Sequence, residues 1–473
     1  MDFSDKQTLY KAMLARDKRF DGRFYVGVRT TGIYCRPVCP ARPKAKNVDF
    51  YRSAAEAEGK GFRPCLRCRP DLSPSSPLFH GTAAVVGRAL RLISEGEEEN
   101  LERLADRLGL TSRHLRRLFH EHVGASPVAV SGSQRLHHAR LLLSQTAMPI
   151  TEVAFASGFR SLRRFNDAFK EKYKKAPREF RKAGKDGAST GAALTLELPV
   201  LEPFEWGYLH SFLRAHSIEG LETFSDDSYS RLLPGGGRLQ VRFVQRTLHV
   251  TVEGVQPAGL RPILARVRRL FDLDHNPAVL ARDLGGIRVP GAYRGFETAA
   301  FIILGQMVSV AAARGKVAKL MEHYGEACPS PRPGLNRLFP SPATIAKADP
   351  EQLGTRLGIT RVRAQALRAL AAAVAAGEIE LSGTAPLEET RLRLAAIPGI
   401  GPWTVEMIAM RCLGDPDAFP EKDLIVIRAV KRLKIRHSEH SPWRAYLALW
   451  IWKNYARELS GTKAKRKKKR SQK

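Results

Sequence analysis

The chain has 473 residues, which is too long for one hydrophobic core and predicts about three domains. It contains 78 Lys and Arg residues against 47 Asp and Glu residues, a formal net charge of +31, and 43% of its residues are hydrophobic. This balance favours a basic globular protein with an anionic polymer as partner, and it argues against a disordered polycation. No apolar run reaches the ~20 residues of a membrane-spanning helix, and the amino terminus lacks the apolar segment of a secretion signal. We therefore set aside secreted and membrane classes and expect a cytoplasmic, nucleoid-associated protein.

Two polar segments divide the chain. Residues 73–77 (SPSSP) are rich in Ser and Pro, and residues 182–193 (KAGKDGASTGAA) are rich in Gly, Ala and Ser, so both predict linkers. The last 13 residues contain eight Lys or Arg residues and no acid, which predicts a disordered tail that attracts phosphate without sequence preference. The linkers separate a cysteine-rich module, a second module and a long C-terminal region.

The first module contains four of the six cysteines, arranged as a C-x3-C pair and a C-x2-C pair. These residues are Cys35, Cys39, Cys65 and Cys68. Pairs at this spacing can direct four sulfur atoms to one point and close a tetrahedral zinc site, whereas a disulfide scaffold is not expected in a chain of this length. Four unrelated buried thiols are the less favoured alternative, and zinc that acts only as a structural staple remains open.

Three segments of this module, VRTTGIYCRPVCPARP, NVDFY and GFRPCLRCRPD, resemble the N-terminal methyl-acceptor domain of the Ada family over about residues 5–72. The resemblance implies that Cys35, the first of the four cysteines, accepts a methyl group irreversibly from a DNA methylphosphotriester while all four cysteines hold zinc. Zinc keeps a thiol ionised at neutral pH, and thiolate is the nucleophilic form. As a hypothesis, methylation lowers the formal charge of the site from about −2 to about −1, so that Arg36, Arg67 and other basic residues hold the DNA backbone more tightly. This change would be an electrostatic switch from repair to DNA binding.

The second module shows one helical pattern twice. Residues 101–108 follow the i, i+3, i+4, i+7 pattern of an amphipathic helix, and Gly109 and Thr111 predict a turn and the N-cap of the next helix. The same order recurs over residues 150–161, and a helix over roughly 134–146 is predicted between the two copies. The residues predicted to face the core are Leu115, Leu118, Phe119, Phe165 and Phe169.

The segment ITEVAFASGFRSLRRFNDAFKEKYKKAPREFR gives this module a resemblance to the DNA-binding domain of the AraC family, which has two helix-turn-helix units. One such spacing alone is more often an ordinary helical hairpin, but the repeat and the outward arginines favour a promoter-binding domain. The resemblance also implies RNA polymerase as a partner. The residues predicted to contact DNA are Arg113, Arg116, Arg163 and Asn166.

The C-terminal region begins with strands and continues with helices. Alternation in LQVRFV and LHVTV predicts strands within residues 194–290, and the pattern is helical from about residue 291 onward. The PGIG sequence at 398–401 predicts a glycine hairpin between two helices, where the N–H groups of the second helix can bind a phosphate. PGxG alone is often only a turn, but Asp423 follows at the start of another helix.

With FEWGYLHSF, GQMVSVAAA and SPWRAYLALWIW, this arrangement resembles the helix-hairpin-helix DNA glycosylases of the AlkA type over about residues 194–457. The resemblance implies that Asp423 is the catalytic carboxylate, which stabilises positive charge on the deoxyribose and can orient water. The alternative is that Asp423 only caps its helix. Trp403 stands where bifunctional relatives place a Schiff-base lysine, so no β-lyase step is expected. Gly399 and Gly401 would contact DNA, and a monovalent cation could bind at the hairpin.

Excision requires that the target base be flipped out of the duplex into a pocket. By the same resemblance Met307 is the wedge that enters the gap, and Trp403, Trp443 and Phe212 form an electron-rich pocket for cationic bases. Core packing is the alternative for the aromatic residues, and an interior helix position is the alternative for Met307. Met307 and Met407 stand where better-known members have leucine and tyrosine, which leaves the range of excised bases open.

We predict a multidomain protein with a small α+β four-cysteine zinc domain, an all-α double helix-turn-helix domain, an α+β glycosylase subdomain and an all-α helix-hairpin-helix core. The predicted limits are 1–75, 79–183, 194–290 and 291–460, with a linker at 184–193 and a disordered basic tail at 461–473.

The predicted function joins monofunctional excision of alkylated bases, of the 3-methyladenine type, to a methyl-accepting transcriptional regulator. Its partner is double-stranded DNA, both alkylated and promoter DNA, with one Zn²⁺, no organic cofactor and no membrane. The PCHR motif of alkylguanine methyltransferases does not occur in the sequence, so reversal of O6-methylguanine is not predicted. One alternative is a methylation-sensing transcription factor whose inactive glycosylase half serves only as a DNA clamp. A second is a structural zinc protein that binds nucleic acid without repair chemistry.

Overall fold

A computed structural model describes most of the chain. The described residues are 3, 5–74, 81–96, 100–181, 193–281 and 284–455. Of the predicted linkers only residues 73, 74 and 193 are described, and the predicted tail lies outside the described residues. Within the described residues, no helix combines the length and the apolar character that crossing a membrane requires.

The chain divides into two compact units. Unit 1 comprises Met1–Leu201, Gly237–Arg268 and Leu273–Val279. Unit 2 comprises Glu202–Gly236, Arg269–Asp272 and Leu280–Lys473.

The described helices and strands are named in chain order. The helices are α1 (Lys6–Leu14), α2 (Ala54–Gly59), α3 (Gly81–Glu95), α4 (Leu101–Arg107), α5 (Ser112–Val123), α6 (Pro127–Gln145), α7 (Ile150–Ala156), α8 (Leu162–Tyr173), α9 (Trp206–Ala215), α10 (Leu260–Leu270), α11 (Gly295–Leu304), α12 (Val310–Tyr324), α13 (Pro342–Ala346), α14 (Pro350–Leu357), α15 (Arg361–Ala375), α16 (Leu387–Ala395), α17 (Pro402–Ile408), α18 (Leu424–Leu433) and α19 (444–455). The strands are β1 (Tyr25–Val28), β2 (Ile33–Cys35), β3 (Val48–Tyr51), β4 (Arg63–Pro64), β5 (Leu194–Pro199), β6 (Glu222–Phe224), β7 (Ser228–Leu232), β8 (Arg238–Val244), β9 (Thr247–Glu253), β10 (Glu326–Arg332) and β11 (Leu335–Leu338).

The cysteine module is built on a four-stranded sheet in the order β3-β1-β2-β4. Strands β2 and β4 are parallel, with Tyr34 opposite Pro64. Neighbouring parallel strands end at the same edge of a sheet. Cys35 and Cys65 therefore lie close together, although 30 positions separate them in the sequence. Leu9 of α1 and Val26 of β1 are among the residues that form the core beneath this sheet.

Both predicted helix-turn-helix units are present. Thr111 caps α5 and Ser161 caps α8, and each hydroxyl accepts the backbone N–H of the residue three positions later. Gly109 and Gly158 have φ values of +68° and +82°, a conformation that glycine adopts without strain. The residues predicted to face the core are at most 1% exposed, namely Leu115, Leu118, Phe119, Phe165 and Phe169.

The helix between these units, α6, is longer than predicted. It begins at Pro127 and not near residue 134, because the Ser126 hydroxyl caps it and Pro127 occupies its first position. Proline at that position has no N–H to leave unsatisfied, which is why the helix starts there.

Buried ion pairs join the cysteine module to the helix-turn-helix helices within unit 1. Lys172 of α8 lies 2.6 Å from the Glu58 carboxylate of α2, and Arg140 of α6 lies 3.0 Å from Asp71. Burial opposes ionisation of Glu58, but Lys172 and His137 lower its pKa to about 2. These two modules therefore share charged groups that neither could bury alone.

The strands predicted from LQVRFV and LHVTV are confirmed as β8 and β9. They pair antiparallel, with Val241 opposite Val250, and β9 also pairs antiparallel with β5. In unit 2, β6 pairs antiparallel with β7, with Thr223 opposite Ser230.

Unit 2 contains the helices α11–α19 around one large hydrophobic core. The helical pattern expected from residue 291 onward is interrupted by the antiparallel hairpin β10–β11. Its sequence, CPSPRPGLNRL, contains three prolines, which cannot continue a helix, and Gly334 has a φ of +73°, outside the helical region.

Candidate metal centre and candidate active site

The four predicted cysteines lie together. The sulfur atoms of Cys35, Cys39, Cys65 and Cys68 are all within 4.8 Å of one another. The Cys65 N–H donates to the Tyr34 carbonyl oxygen at 3.0 Å, so the pairing of β2 with β4 brings the two cysteine pairs together. Four sulfurs at the usual Zn–S distance of about 2.3 Å are separated by about 3.8 Å, so the cluster is close to the size of a tetrahedral zinc site.

Contacts inside the cluster favour thiolate at Cys39 and oppose it at Cys35. Hydrogen bonds from Cys35 and Cys68 lower the pKa of Cys39 to about 2. The same contact with Cys39 raises the pKa of Cys35 above its usual range. The Arg36 backbone N–H also donates to Cys68 Sγ at 3.4 Å. Close, partly ionised sulfur donors are the ligands that Zn²⁺ prefers, so these four residues fit one zinc ion.

The two arginines predicted to hold DNA beside this cluster differ in their surroundings. The Arg36 guanidinium pairs with Asp21 and donates to the Cys68 carbonyl oxygen at 3.2 Å, and its side chain is only 12% exposed. Arg36 therefore stabilises the cysteine loop from inside. Arg67 is exposed, so its predicted contact with DNA stays a prediction.

The predicted DNA contacts of the helix-turn-helix units lie on the second helix of each unit. Arg113 and Arg116 are exposed on α5, and Arg163 is exposed on α8. Asn166 lies on α8 but is half-buried. Three of the four side chains are thus presented to solvent, as a helix that enters a DNA groove requires.

The PGIG sequence forms the predicted hairpin between α16 and α17. Gly399 has a φ of +92°, and a side chain there would approach Val362 and Ala366 to within 3.2 Å and 3.0 Å. Both the conformation and the close packing therefore require glycine. Gly401 is the N-cap of α17, which has no side-chain cap, and there is open space around its Cα atom. The free backbone N–H groups of the first turn of α17 can therefore donate to an anion.

Asp423 is held by four N–H donors. Its Oδ1 accepts the backbone N–H groups of Ile425 at 2.9 Å and Val426 at 3.1 Å, which caps α18. Two indole groups add to this cap: Trp403 Nε1 lies 3.2 Å from Oδ2 and Trp452 Nε1 lies 3.1 Å from Oδ1. Asp423 therefore does cap its helix, but capping accounts for only the two backbone N–H donors and not for the two indole donors. The indoles hold the half-buried Asp423 carboxylate in one orientation at the N-terminus of α18.

Met307 lies in the loop between α11 and α12, which excludes the interior helix position. Its side chain is 98% exposed, and its φ of +56° lies in the left-handed region that is unfavourable for methionine. The preceding residue, Gln306, donates through Nε2 to the Gly399 carbonyl oxygen and to Thr404 Oγ1, both at 2.9 Å. These bonds connect the loop that presents Met307 directly to the hairpin.

The other predicted pocket residues are partly buried. Trp403 contacts Asp423, as described above, and Trp443 packs edge-on against Tyr446 with ring centroids 6.0 Å apart. Phe212 stacks on His216 at 4.2 Å, and the Arg411 guanidinium lies 4.9 Å from its ring centroid.

Burial determines the protonation of the two ionisable side chains beside Phe212, those of His216 and Arg411. Burial and the neighbouring Arg411 lower the pKa of His216 to about 4, so His216 is neutral at pH 7. Burial lowers the pKa of Arg411 to about 10, and Arg411 remains a cation. A buried cation therefore already lies against the Phe212 ring.

Sequence reasoning missed two residues of this site. Trp452 was not assigned, although tryptophan occurs only five times in the chain and Trp452 lies inside the SPWRAYLALWIW segment. Gln306 was not assigned either, and its position beside Met307 was the available signal.

Family models match the chain in four consecutive segments. A model for the metal binding domain of Ada matches residues 8–71, and a helix-turn-helix domain matches residues 104–183. The AlkA N-terminal domain matches residues 195–293, and the HhH-GPD superfamily of base excision DNA repair proteins matches residues 300–454.

Three curated relatives cover different parts of the chain. A probable bifunctional transcriptional activator/DNA repair enzyme AlkA from Mycobacterium tuberculosis is 37% identical over 95% of this chain and 96% of the relative. DNA-3-methyladenine glycosylase 2 from Escherichia coli is 33% identical over 53% of this chain and 94% of its own length. The bifunctional transcriptional activator/DNA repair enzyme Ada from Escherichia coli is 35% identical over 40% of this chain and 52% of its own length. A metal-binding domain of the Ada type, two helix-turn-helix units and a helix-hairpin-helix glycosylase domain thus follow one another between residues 8 and 454. The chain belongs to the family of bifunctional transcriptional activator/DNA repair enzyme AlkA proteins.

Proposed function

We propose that the chain is a monofunctional DNA glycosylase that excises alkylated bases of the 3-methyladenine type, fused to a methyl-accepting transcriptional regulator. The observation that carries the first activity is the Asp423 carboxylate, which two indoles and two backbone N–H groups hold close to the phosphate-binding hairpin. The family relationship supports both activities.

In the excision step, the bond between the deoxyribose C1′ and the alkylated base breaks, and the base leaves with the bonding electrons. Asp423 stabilises the positive charge that develops on the sugar and orients the water that attacks C1′. A cationic alkylated purine is a good leaving group, so modest assistance is sufficient. An indole cannot form an imine, so Trp403 supports hydrolysis without strand cleavage.

In the methyl-transfer step, the Cys35 sulfur attacks the methyl carbon of a DNA methylphosphotriester. The C–O bond breaks, the phosphate leaves as a diester anion and Cys35 becomes a thioether. Bound zinc would keep the thiols ionised. The loss of one negative charge from the cluster would then favour DNA near Arg67, as the switch hypothesis requires.

The glycosylase is tested by release of free bases from methylated duplex DNA, measured by chromatography. We expect release of 3-methyladenine by the intact chain and its loss in Asp423→Asn, while binding of the duplex remains. No release by the intact chain would contradict the glycosylase and leave the DNA-clamp alternative.

The methyl acceptor is tested separately by intact-mass analysis and peptide mapping after incubation with DNA that carries methylphosphotriesters. One added methyl group on Cys35 is the expected result. A chain that retains its mass, or gains the methyl group on Cys328 or Cys412, would contradict the assignment.

A further inference from the structure

Three cations outside the proposed chemistry surround one turn of unit 2. Lys316 and Lys319 lie on α12, and Arg363 lies in the first turn of α15. Lys316 Nζ donates to the carbonyl oxygen of Gly358 at 2.6 Å, and a side chain built on Gly358 would lie 3.9 Å from Lys319 Nζ. We name Lys316, Lys319 and Arg363 the turn cluster.

The charges of the turn cluster repel one another. Partial burial and the positive charges of Arg363 and Lys319 lower the pKa of Lys316. Glu351, the described carboxylate nearest to Gly358 in sequence, pairs with Arg361 at 3.6 Å. On α12 the exposed Glu322 lies three positions after Lys319, so one carboxylate stands beside three cations. A bound anion would relieve this repulsion.

The turn cluster is connected to the proposed DNA-binding elements by side-chain hydrogen bonds. Arg363 Nη2 donates to the carbonyl oxygen of Gln306 at 2.7 Å, and the Gln306 side chain donates in turn to Gly399 of the hairpin. Met307, beside Gln306, is 98% exposed, and Val362, beside Arg363, is 57% exposed. One exposed face thus combines apolar residues with a local excess of positive charge.

We propose that the turn cluster binds a phosphate group of the DNA backbone, in addition to the phosphate that the hairpin can bind. The assignment rests on the proposed function, because it requires that DNA lie across the hairpin and the Met307 loop. DNA is the anion that fits, because apolar side chains that enter a duplex are flanked by its phosphates. The positive end of the α15 dipole adds to the attraction.

The test compares two exposed lysines of unit 2, Lys319 and Lys347. The variants Lys319→Glu and Lys347→Glu change the net charge equally, so only location distinguishes them. The full chain is titrated with a duplex that contains one abasic-site analogue. The duplex is roughly one helical turn long, so that only one DNA-binding module of the chain can bind each duplex. The phosphates around the analogue are replaced, one at a time, by neutral methylphosphonates.

We expect one phosphate whose neutralisation weakens binding of the unmodified chain by about tenfold and has no further effect on Lys319→Glu. Lys347→Glu should respond like the unmodified chain. The slope of log affinity against log salt should also fall by about 0.9 in Lys319→Glu alone. If every methylphosphonate weakens the unmodified chain and Lys319→Glu equally, the proposal is overturned.

Failure of this proposal can be told from failure of the proposed function. The phosphate scan measures binding and needs no excision, and Asp423→Asn should give the same scan as the unmodified chain. If the chain gives the expected scan but releases no base, the phosphate site is supported and the glycosylase function is contradicted.

Discussion

The cysteine cluster and Asp423 are two reactive centres that acquire their neighbours in different ways. The cysteines occur in pairs three or four positions apart, and one pairing of parallel strands joins the pairs. Asp423 obtains its two indole donors from Trp403, 20 positions earlier, and Trp452, 29 positions later, on different helices. A metal centre can therefore be visible in sequence spacing, whereas a positioned carboxylate depends on how helices pack.

The largest effect should separate two aspartates with the same local role. Asp349 caps α14 as Asp423 caps α18, each through Oδ1 and two backbone N–H groups, but only Asp423 receives indole donors. Asparagine caps a helix nearly as well as aspartate, so both Asn variants should fold. Asp423→Asn should lower the single-turnover rate of base release by about 1000-fold. Asp349→Asn should stay within about twofold of the unmodified chain, and equal losses in the two variants would make Asp423 an ordinary cap.

The next effect concerns the metal centre. Because Cys65 supplies one of four sulfurs, Cys65→Ser should lower the affinity for Co²⁺, used as a spectroscopic probe for Zn²⁺, by about 100-fold. The thiolate-to-metal absorption bands and the stoichiometry of one ion per chain give the measurement.

The buried Cys328 is the matched control, because it lies outside the cluster. Cys328→Ser should bind one ion with unchanged spectrum. A Cys65→Ser chain that binds as tightly as the unmodified chain would show that the four sulfurs do not act together.

A smaller effect is expected for the indole that sequence reasoning missed. Trp452→Phe removes one hydrogen bond to Asp423 Oδ1 and keeps an aromatic ring, so the single-turnover rate of base release should fall by about tenfold. Binding of a duplex with an abasic-site analogue should not change. Trp450→Phe, at a half-buried position of the same helix, is the control. Equal losses in both variants would indicate that Trp452 only packs the helix.

The smallest effect is expected for the proposed wedge. Met307→Ala should lower base release by about fivefold, since a smaller side chain fills the gap less well. Its melting temperature should hardly change, because the side chain is almost fully exposed. Met410, which is 1% exposed, gives the contrast: Met410→Ala should destabilise the fold by about 2–5 kcal/mol. Loss of stability in Met307→Ala would favour a packing role.

Some features of the fold could be predicted from local patterns alone. The helix-turn-helix repeat followed from spacing, because Thr111 and Ser161 cap their helices through contacts only three positions long. The strands β8 and β9 followed from alternation. The start of α6 at Pro127 was missed although its capping signal is local, because the prediction relied on apolar periodicity and not on the Ser-Pro pair.

In the candidate site, local patterns did not assign every residue. Asp423 and Met307 were predicted only through family resemblance, since composition and spacing also allowed a helix cap and an interior helix position. The exposure of Met307 depends on where α11 ends, and the inward position of Arg36 depends on the buried Asp21, 15 positions away. Such contacts form between segments whose approach no local pattern specifies.

By itself the sequence determined the two cysteine pairs, the doubled helix-turn-helix units and the hairpin glycine, because each depends on residues a few positions apart or on a backbone conformation that one residue type adopts. The β2–β4 pairing then joined the two cysteine pairs into one cluster. Only the tertiary structure decided that Trp403 and Trp452 meet Asp423, that Gln306 joins the Met307 loop to the hairpin, and that Lys316, Lys319 and Arg363 surround one turn. Those arrangements arise from helix packing, which brings distant side chains within hydrogen-bonding distance while leaving no periodic trace in the sequence.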